Sequence, residues 1–174
     1  MASGSGHLTP ERSDTVHVIL DAARRRYARF GASKTTMGDV AREARLSRTT
    51  LYTYFRTKDE LYAELLDRET VWFVQRVEQQ VDAVRGARQK LRRIVAATLE
   101  FYADNSVLLN AITSNEEMIL EQVAHRVVRA HDERMEALLS QVLREGVAEG
   151  TLREINPERI AHLIWLLGST LIVR

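Results

Sequence analysis

Between Gly31 and Leu61 the sequence signals the end of one helix and the start of three more, and this crowding limits the possible folds more than any other feature. Gly31 follows the apolar-periodic stretch that closes at Phe30, where a left-handed residue stops a helix. Thr36-x-x-Asp39 has the form of a capping box, with Asp in place of the usual Glu or Gln, and predicts a short helix through about Ala44. Ser47 suits the cap of a third helix, from about Arg48 to Phe55. Thr57-x-x-Glu60 is a further capping box and opens a fourth. Short helices joined by such tight turns leave no room for a sheet.

The rest of the chain extends the pattern. A first helix from about Ser13 to Phe30 places Val16, Ile19, Leu20, Ala23, Tyr27 and Phe30 on one face, with Arg24, Arg25 and Arg29 opposite and Arg26 towards one edge. The arginines read as a solvated face. The helix opened by Thr57 is expected from Lys58 to about Val84. Ala87 to about Ala103 reads as the next, and Asn105 to Ile112 as a short one. Ser114-x-x-Glu117 is another capping box and should start a long helix ending by Gly150. Asn156-Pro157 is an N-cap followed by Pro at the first helical position, the start of the last helix. Only two prolines occur in 174 residues. The fold class is therefore all-α: a three-helix module at the N-terminus joined to a longer helical region. The boundaries expected are a flexible arm at 1–12, a helix-turn-helix domain at 13–57 and a second helical domain at 58–174.

Charge is uneven along the chain although the net value is only +1. Residues 1–60 carry 11 Lys/Arg against 7 Asp/Glu, whereas residues 61–174 carry 14 against 17. The N-terminal third thus has the sign that a phosphate-binding module needs. Cysteine is absent, which excludes disulfides, thiolate metal sites and a cysteine nucleophile. No secretory pattern opens the chain, and no apolar run approaches the ~18 residues that cross a bilayer, so a cytoplasmic protein is expected. Arginine outnumbers lysine 22 to 3, which hints at a GC-rich bacterial genome.

Ala41, Leu46 and Leu51 have the spacing of a helix-turn-helix, with Val40 and Phe55 also facing its core. The second helix then turns Arg48, Thr49, Tyr52 and Thr53 outward, with Thr50 near the edge. All can donate hydrogen bonds and none is acidic. The N-terminal residues of such a helix reach base edges in the major groove. Arginine binds guanine in bidentate fashion, and threonine offers a methyl to thymine. Tyrosine hydroxyls and lysine ammonium groups suit phosphate oxygens. So do helix N-termini, where Thr36 and Lys58 sit.

The stretch TTMGDVAREARLSRTTLYTYFRTKDEL resembles the DNA-binding signature of the TetR family of transcriptional regulators. The resemblance rests on Phe30-Gly31, Thr35-Thr36, Val40-Ala41, Leu46-Ser47, the run Thr50-Leu51-Tyr52-x-Tyr54-Phe55, and Lys58-x-x-Leu61, and it extends from Ile19 to about Leu65. It implies a homodimer whose two N-terminal modules read a palindromic DNA operator. It also implies that Thr36 and Lys58 hold phosphates, that Tyr52 and Tyr54 touch phosphate or sugar, and that Arg48, Thr49 and Thr50, following the Ser47 cap, lie nearest the bases. The family's C-terminal part usually binds a small organic effector and dimerises through its last two long helices. Effector binding there generally weakens DNA binding, so a repressor is the favoured reading. One departure stands out. The turn position usually held by glycine is Arg45 here, which either contacts phosphate or points to water.

Beyond Leu65 the residues speak less clearly. If an effector pocket exists it should lie near Phe101 and Tyr102, with Trp72 and Met118 as further apolar lining and Asn105, Asn110 and His125 as polar groups. Met135, Leu138, Leu139 and Val142 form a face that could meet the last helix, whose apolar stripe from Ile160 to Ile172 is too wide for one partner within a subunit. The apolar sequence running to Arg174 also raises the expectation of a shortened C-terminus. His125, His131 and His162 lack clustered acidic or cysteine partners, so no metal site is expected. No nucleophile elbow, phosphate loop or acid–base pair is present, so neither catalytic residues nor an enzyme are expected. Two other readings stay open. One is a DNA-binding dimer without an effector. The other is a helical interaction module, enzyme or carrier in which the resemblance is incidental.

Overall fold

The computed structural model describes residues 10–104 and 118–172, and among these it is entirely helical. Seven helices follow in order: α1 (Pro10–Phe30), α2 (Met37–Glu43), α3 (Arg48–Tyr54), α4 (Lys58–Asp82), α5 (Ala87–Asp104), α6 (Met118–Ala148) and α7 (Pro157–Ile172). The chain divides into two compact units, Met1–Leu65 and Leu66–Arg174, with the division inside α4. The short helix expected over Asn105–Ile112 and the capping box at Ser114 and Glu117 lie outside the described residues.

In the first unit the capping signals act where the sequence places them. Thr36 is the N-cap of α2 in extended conformation, and its hydroxyl accepts from the Asp39 backbone N–H at 3.2 Å. The Asp39 carboxylate accepts in return from the Thr36 backbone N–H at 3.1 Å and from its hydroxyl at 2.7 Å. Those bonds hold the Asp39 carboxyl below its usual range. Ser47 caps α3 by accepting from the Thr50 N–H at 3.0 Å. Thr57 accepts from the Glu60 N–H at 3.1 Å, but the Glu60 carboxylate reaches one residue further back, to the Arg56 N–H at 2.7 Å.

The core of this unit joins Ile19, Leu20, Ala23 and Tyr27 of α1 to Val40, Ala41, Leu51, Phe55, Leu61 and Leu65, all buried. Tyr27 meets Tyr62 edge to face, with centroids 5.4 Å apart. Two expectations for α1 change. The helix begins at Pro10 rather than Ser13, since proline fits a first helical turn without losing a hydrogen bond. Phe30 lies outside the core: it is exposed, with the guanidinium groups of Arg26 and Arg29 4.2 and 5.1 Å from its ring centroid. Arg25 pairs with Glu43 at 2.8 Å, so the arginine face is engaged as well as solvated.

In the second unit α6 and α7 form an antiparallel pair with polar contacts down its length. Trp165 donates its indole N–H to Asp132 at 2.7 Å, His162 Nδ1 meets Glu136 at 2.9 Å, and Glu158 accepts from Ser140 and Arg144, both at 3.2 Å. As one partner number rises the other falls, which defines the register. Met135, Leu139 and Val142 are buried as expected of that face, and Leu138 is half-buried. The start of α5 is held to α6 by Lys90 on Glu145 at 2.6 Å and by the Ala87 N–H on Glu149 at 3.1 Å. Gly146 permits this approach, because a Cβ there would lie 2.9 Å from the Ala87 Cβ and 2.6 Å from Leu152 Cδ1.

A buried histidine sits among the aromatic side chains of this unit. His131 is 3% exposed, and its ring centroid lies 5.0 Å from Phe73 and 5.4 Å from Trp165. Neither ring nitrogen has a hydrogen-bond partner among the described residues. Burial, with a smaller contribution from Arg134, pushes its pKa from 6.5 down to about 4. In the unfolded chain the imidazole takes its proton near 6.5, and in the folded chain only near 4. Between those values the unfolded state holds more protons, so acid favours unfolding by up to about 3 kcal/mol in total. Neighbouring Asp132, whose carboxyl is raised by burial, acts in the opposite direction. We expect His131→Phe to recover about 2–3 kcal/mol of the stability lost between pH 7 and pH 4, read as the difference between variant and parent in urea unfolding.

Candidate nucleic-acid interface

The interface candidates gather around the turn between α2 and α3. Ala44 ends α2, and Arg45 takes a left-handed backbone with φ 58°, the one non-glycine positive φ among the described residues. The Leu46 N–H donates to Ala41 C=O at 2.9 Å and the Arg45 N–H to Arg42 C=O at 3.2 Å. This pair of bonds is a Schellman closure, which satisfies the last carbonyls of α2 and turns the chain into α3. An arginine here costs on the order of 1 kcal/mol relative to glycine. The geometry gives its backbone a definite task and leaves its side chain exposed.

α3 then presents its face as the spacing requires. Leu51 is fully buried and Phe55 nearly so. Arg48, Thr49, Tyr52 and Thr53 are exposed, and Thr50 is half-buried. Tyr52 exposes 48% of its surface. Tyr54 is half-buried, with the Arg12 guanidinium 5.6 Å from its ring centroid, a contact from a residue that the sequence reading assigns to the terminal arm.

The polar groups of this surface fall into two sets. Several hydroxyls are already spent inside the module. Ser47 shares a hydrogen bond with Thr50 at 2.8 Å in addition to its capping bond, and the Thr53 hydroxyl donates to the Thr50 carbonyl at 2.6 Å. Thr36 is committed to its capping box. Lys58 donates to the carbonyls of Ala32 at 3.1 Å and Ser33 at 3.5 Å, so this ammonium ties α4 to the end of α1 and keeps one of its three donors for another partner. The second set is unspent. Among the described residues, Arg45, Arg48, Thr49 and Tyr52 make no side-chain hydrogen bond or ion pair.

Arg48 has a further neighbour that sequence reasoning missed. Its guanidinium lies against Gly38 of α2. The available signal was a glycine inside a helix otherwise built from good helix formers and β-branched core residues.

The candidates for an effector pocket are less fully placed. Phe101 is buried, with its ring 4.3 Å from Phe73 and 5.8 Å from Trp72. Trp72 is 49% exposed, and the Arg76 guanidinium is 5.2 Å from its ring centroid. Asn105 and Asn110 lie outside the described residues, as do the side chains of Tyr102, Met118 and His125. The structure adds His131 to this aromatic set. Its polarity was legible, but its burial depends on the register of α6 against other elements. Among the described residues no group of His, Asp and Glu could hold a metal ion, and no helix is long and apolar enough to cross a membrane.

Comparison with known proteins matches both units. The family model "Bacterial regulatory proteins, tetR family" matches residues 19–65, and the model "Tetracyclin repressor-like, C-terminal domain" matches residues 85–171. An uncharacterized HTH-type transcriptional regulator of Bacillus subtilis, YhgD, is 24% identical over 159 residues, covering 91% of this chain and 83% of that protein. The TetR transcription regulator of Haloarcula marismortui shares the fold with a TM-score of 0.82 at 22% identity, over 93% of this chain and 86% of that one. The transcriptional regulator FadR of Bacillus subtilis, solved in complex with stearoyl-CoA, does so with a TM-score of 0.70 at 18% identity, over 90% of this chain and 84% of that one. One model spans half of the chain and the other covers the helix-turn-helix, so the chain belongs to the TetR family of bacterial transcriptional regulators.

Proposed function

We propose that this regulator is a cytoplasmic homodimeric repressor. It binds a palindromic DNA operator through α3 and releases it when a small organic molecule occupies the C-terminal region. Residues 13–57 read DNA in this scheme, and residues 58–174 bind the effector and dimerise. The observation that carries the reading is the set of unspent donors on the outward face of α3 and its preceding turn: Arg45, Arg48, Thr49 and Tyr52. Arg48 and Thr49 at the start of α3, with Thr50 and Ser47 beside them, face the bases. Tyr52, Tyr54 and Arg45 meet phosphate or sugar, and the helix starts at Thr36 and Lys58 offer further phosphate contacts. Two such modules on one duplex face need a spacing of about 34–36 Å.

Selection from a random duplex library, followed by anisotropy titrations at several salt concentrations, tests the roles. Wild-type affinity should fall with salt by about 0.9 log units per log unit of salt for each phosphate contact. Arg48→Ala should relax preference at one base-pair position by about 1–3 kcal/mol. Tyr52→Phe and Arg45→Gly should weaken all sequences alike, and Arg45→Gly should do so without loss of fold stability. These are cleaner probes than Lys58→Ala, which also removes the bonds to Ala32 and Ser33. Sequence-independent binding by the parent protein would sink the operator reading.

For the effector, the aromatic set of Phe73, Phe101, His131 and Trp165 and the stearoyl-CoA complex of the FadR neighbour support long-chain acyl-CoA thioesters as the first class to test. A ligand at 100 times its dissociation constant should stabilise the protein by about 2.7 kcal/mol and release the selected operator. Stabilisation without release would favour a DNA-binding dimer whose ligand does not regulate it.

For the dimer, α7 supports a two-fold pairing of the last two helices. Ala161 and Trp165 are buried, whereas Leu163, Leu166 and Leu167 are 45%, 51% and 64% exposed. An exposed leucine stripe of this kind matches the core of an isologous interface. Leu167→Glu should leave the fold intact and shift the protein to monomer in sedimentation equilibrium, with at least about tenfold weaker operator binding.

A further inference from the structure

We propose that Gly38 is a specificity-determining position that acts through Arg48. Its missing side chain makes the seat that aims the Arg48 guanidinium. The inference rests on the reading of α3 as the DNA-facing helix. A Cβ built on Gly38 would lie 2.6 Å from Arg48 Nη2, 2.7 Å from Nε and 2.9 Å from Cζ. Real Cβ contacts essentially never come so close, so the observed position of the guanidinium requires glycine. Nε and Nη2 both lie closer to that point than Cζ does, so the guanidinium meets Gly38 through its Nε–Nη2 edge.

The backbone does not explain this glycine. Gly38 is absent from the positive-φ glycines, which are Gly31, Gly86 and Gly150. It is the second residue of a seven-residue helix, where alanine would be the better helix former. What glycine provides is room. Arg48 opens α3, is exposed, and makes no hydrogen bond or ion pair among the described residues. Nothing else described here anchors the guanidinium, so the surface beneath it sets its direction. Any side chain at position 38 must push it off α2. The clash falls on the far end of a flexible side chain, so the backbone need not move. The fold should tolerate the change while the direction of the donors shifts. A bidentate arginine contact depends on direction, because two N–H groups must meet two acceptors of one base at once.

The test uses the full chain in four forms: parent, Gly38→Ala, Arg48→Ala and the double variant. Each is subjected to duplex-library selection and to titration against the operator selected by the parent, with urea unfolding alongside. Gly38→Ala is expected to keep or raise stability. It should weaken operator binding by about tenfold, with the altered preference confined to the base pairs that Arg48→Ala also alters. In the Arg48→Ala background, Gly38→Ala should change neither affinity nor preference. Gly38→Ser should reproduce the alanine result. An unchanged preference in Gly38→Ala, while Arg48→Ala is altered, would overturn the proposal. So would an equal loss in both backgrounds, since the glycine would then serve the approach of the DNA backbone rather than Arg48. If the parent itself binds DNA without sequence preference, the underlying reading of α3 fails and the role of Gly38 with it.

Discussion

The direction of α3 hangs on two backbone hydrogen bonds across one residue in left-handed conformation. The Leu46-to-Ala41 and Arg45-to-Arg42 bonds close α2 and turn the chain. Only then can Leu51 and Phe55 enter the core laid down by Ile19, Leu20 and Val40. The same turn brings Arg48 back against Gly38, ten residues earlier in the chain. Arginine at that φ is strained by on the order of 1 kcal/mol, which the burial of one core leucine, at about 1.5–3 kcal/mol, offsets. The fold can therefore afford a non-glycine turn. A long basic side chain at the edge of the helix-turn-helix is what the substitution provides in return.

A second constraint is that one class of side chain has two incompatible uses. Serine and threonine cap helices by bonding to nearby backbone, and the same hydroxyls would be needed to touch DNA. Thr36, Ser47, Thr50, Thr53 and Thr57 all spend hydroxyls on local bonds. Thr49 and Tyr52 do not. The polar stretch from Ala41 to Leu61 thus separates into a part that shapes the module and a smaller part left free to recognise something. Lys58 belongs to both, since two carbonyls take its donors from one side while its position at the start of α4 leaves it half-exposed.

That separation marks how far the sequence could be read. Caps and stops are local: Gly31, Thr36 with Asp39, Ser47 and Gly150 work through neighbours within five residues, so their spacing alone announced the helix ends. The buried face of the helix-turn-helix was legible for the same reason, because helical periodicity is a local property. Phe30 lies elsewhere than its periodicity suggests because the guanidinium groups of Arg26 and Arg29 pack on its ring at the surface, where it stays exposed. His131 and Gly38 belong to a third kind. One is buried by the register of α6, and the other is matched to a side chain ten residues away on a different helix. Neither periodicity nor capping carries that information, since it exists only once two elements meet.

The α6–α7 pair shows how register decides what a helix leaves outside. Three polar links, Asp132 with Trp165, Glu136 with His162, and Ser140 and Arg144 with Glu158, fall along one seam. They fix α7 in rotation as well as in translation, because each joins one face of α7 to successive turns of α6. With that seam set, Ala161 and Trp165 must turn inward, and Leu163, Leu166 and Leu167 must turn out. A one-turn slip would break all three links, and with them the bond to the buried Trp165 N–H. A rotation that buried the leucines would expose Trp165 and leave Asp132, already raised by desolvation, without its donor. The exposed leucine face is therefore not slack in the packing. It is the face that the polar seam requires α7 to present, and apolar surface held in that way is available for a second helix pair to cover.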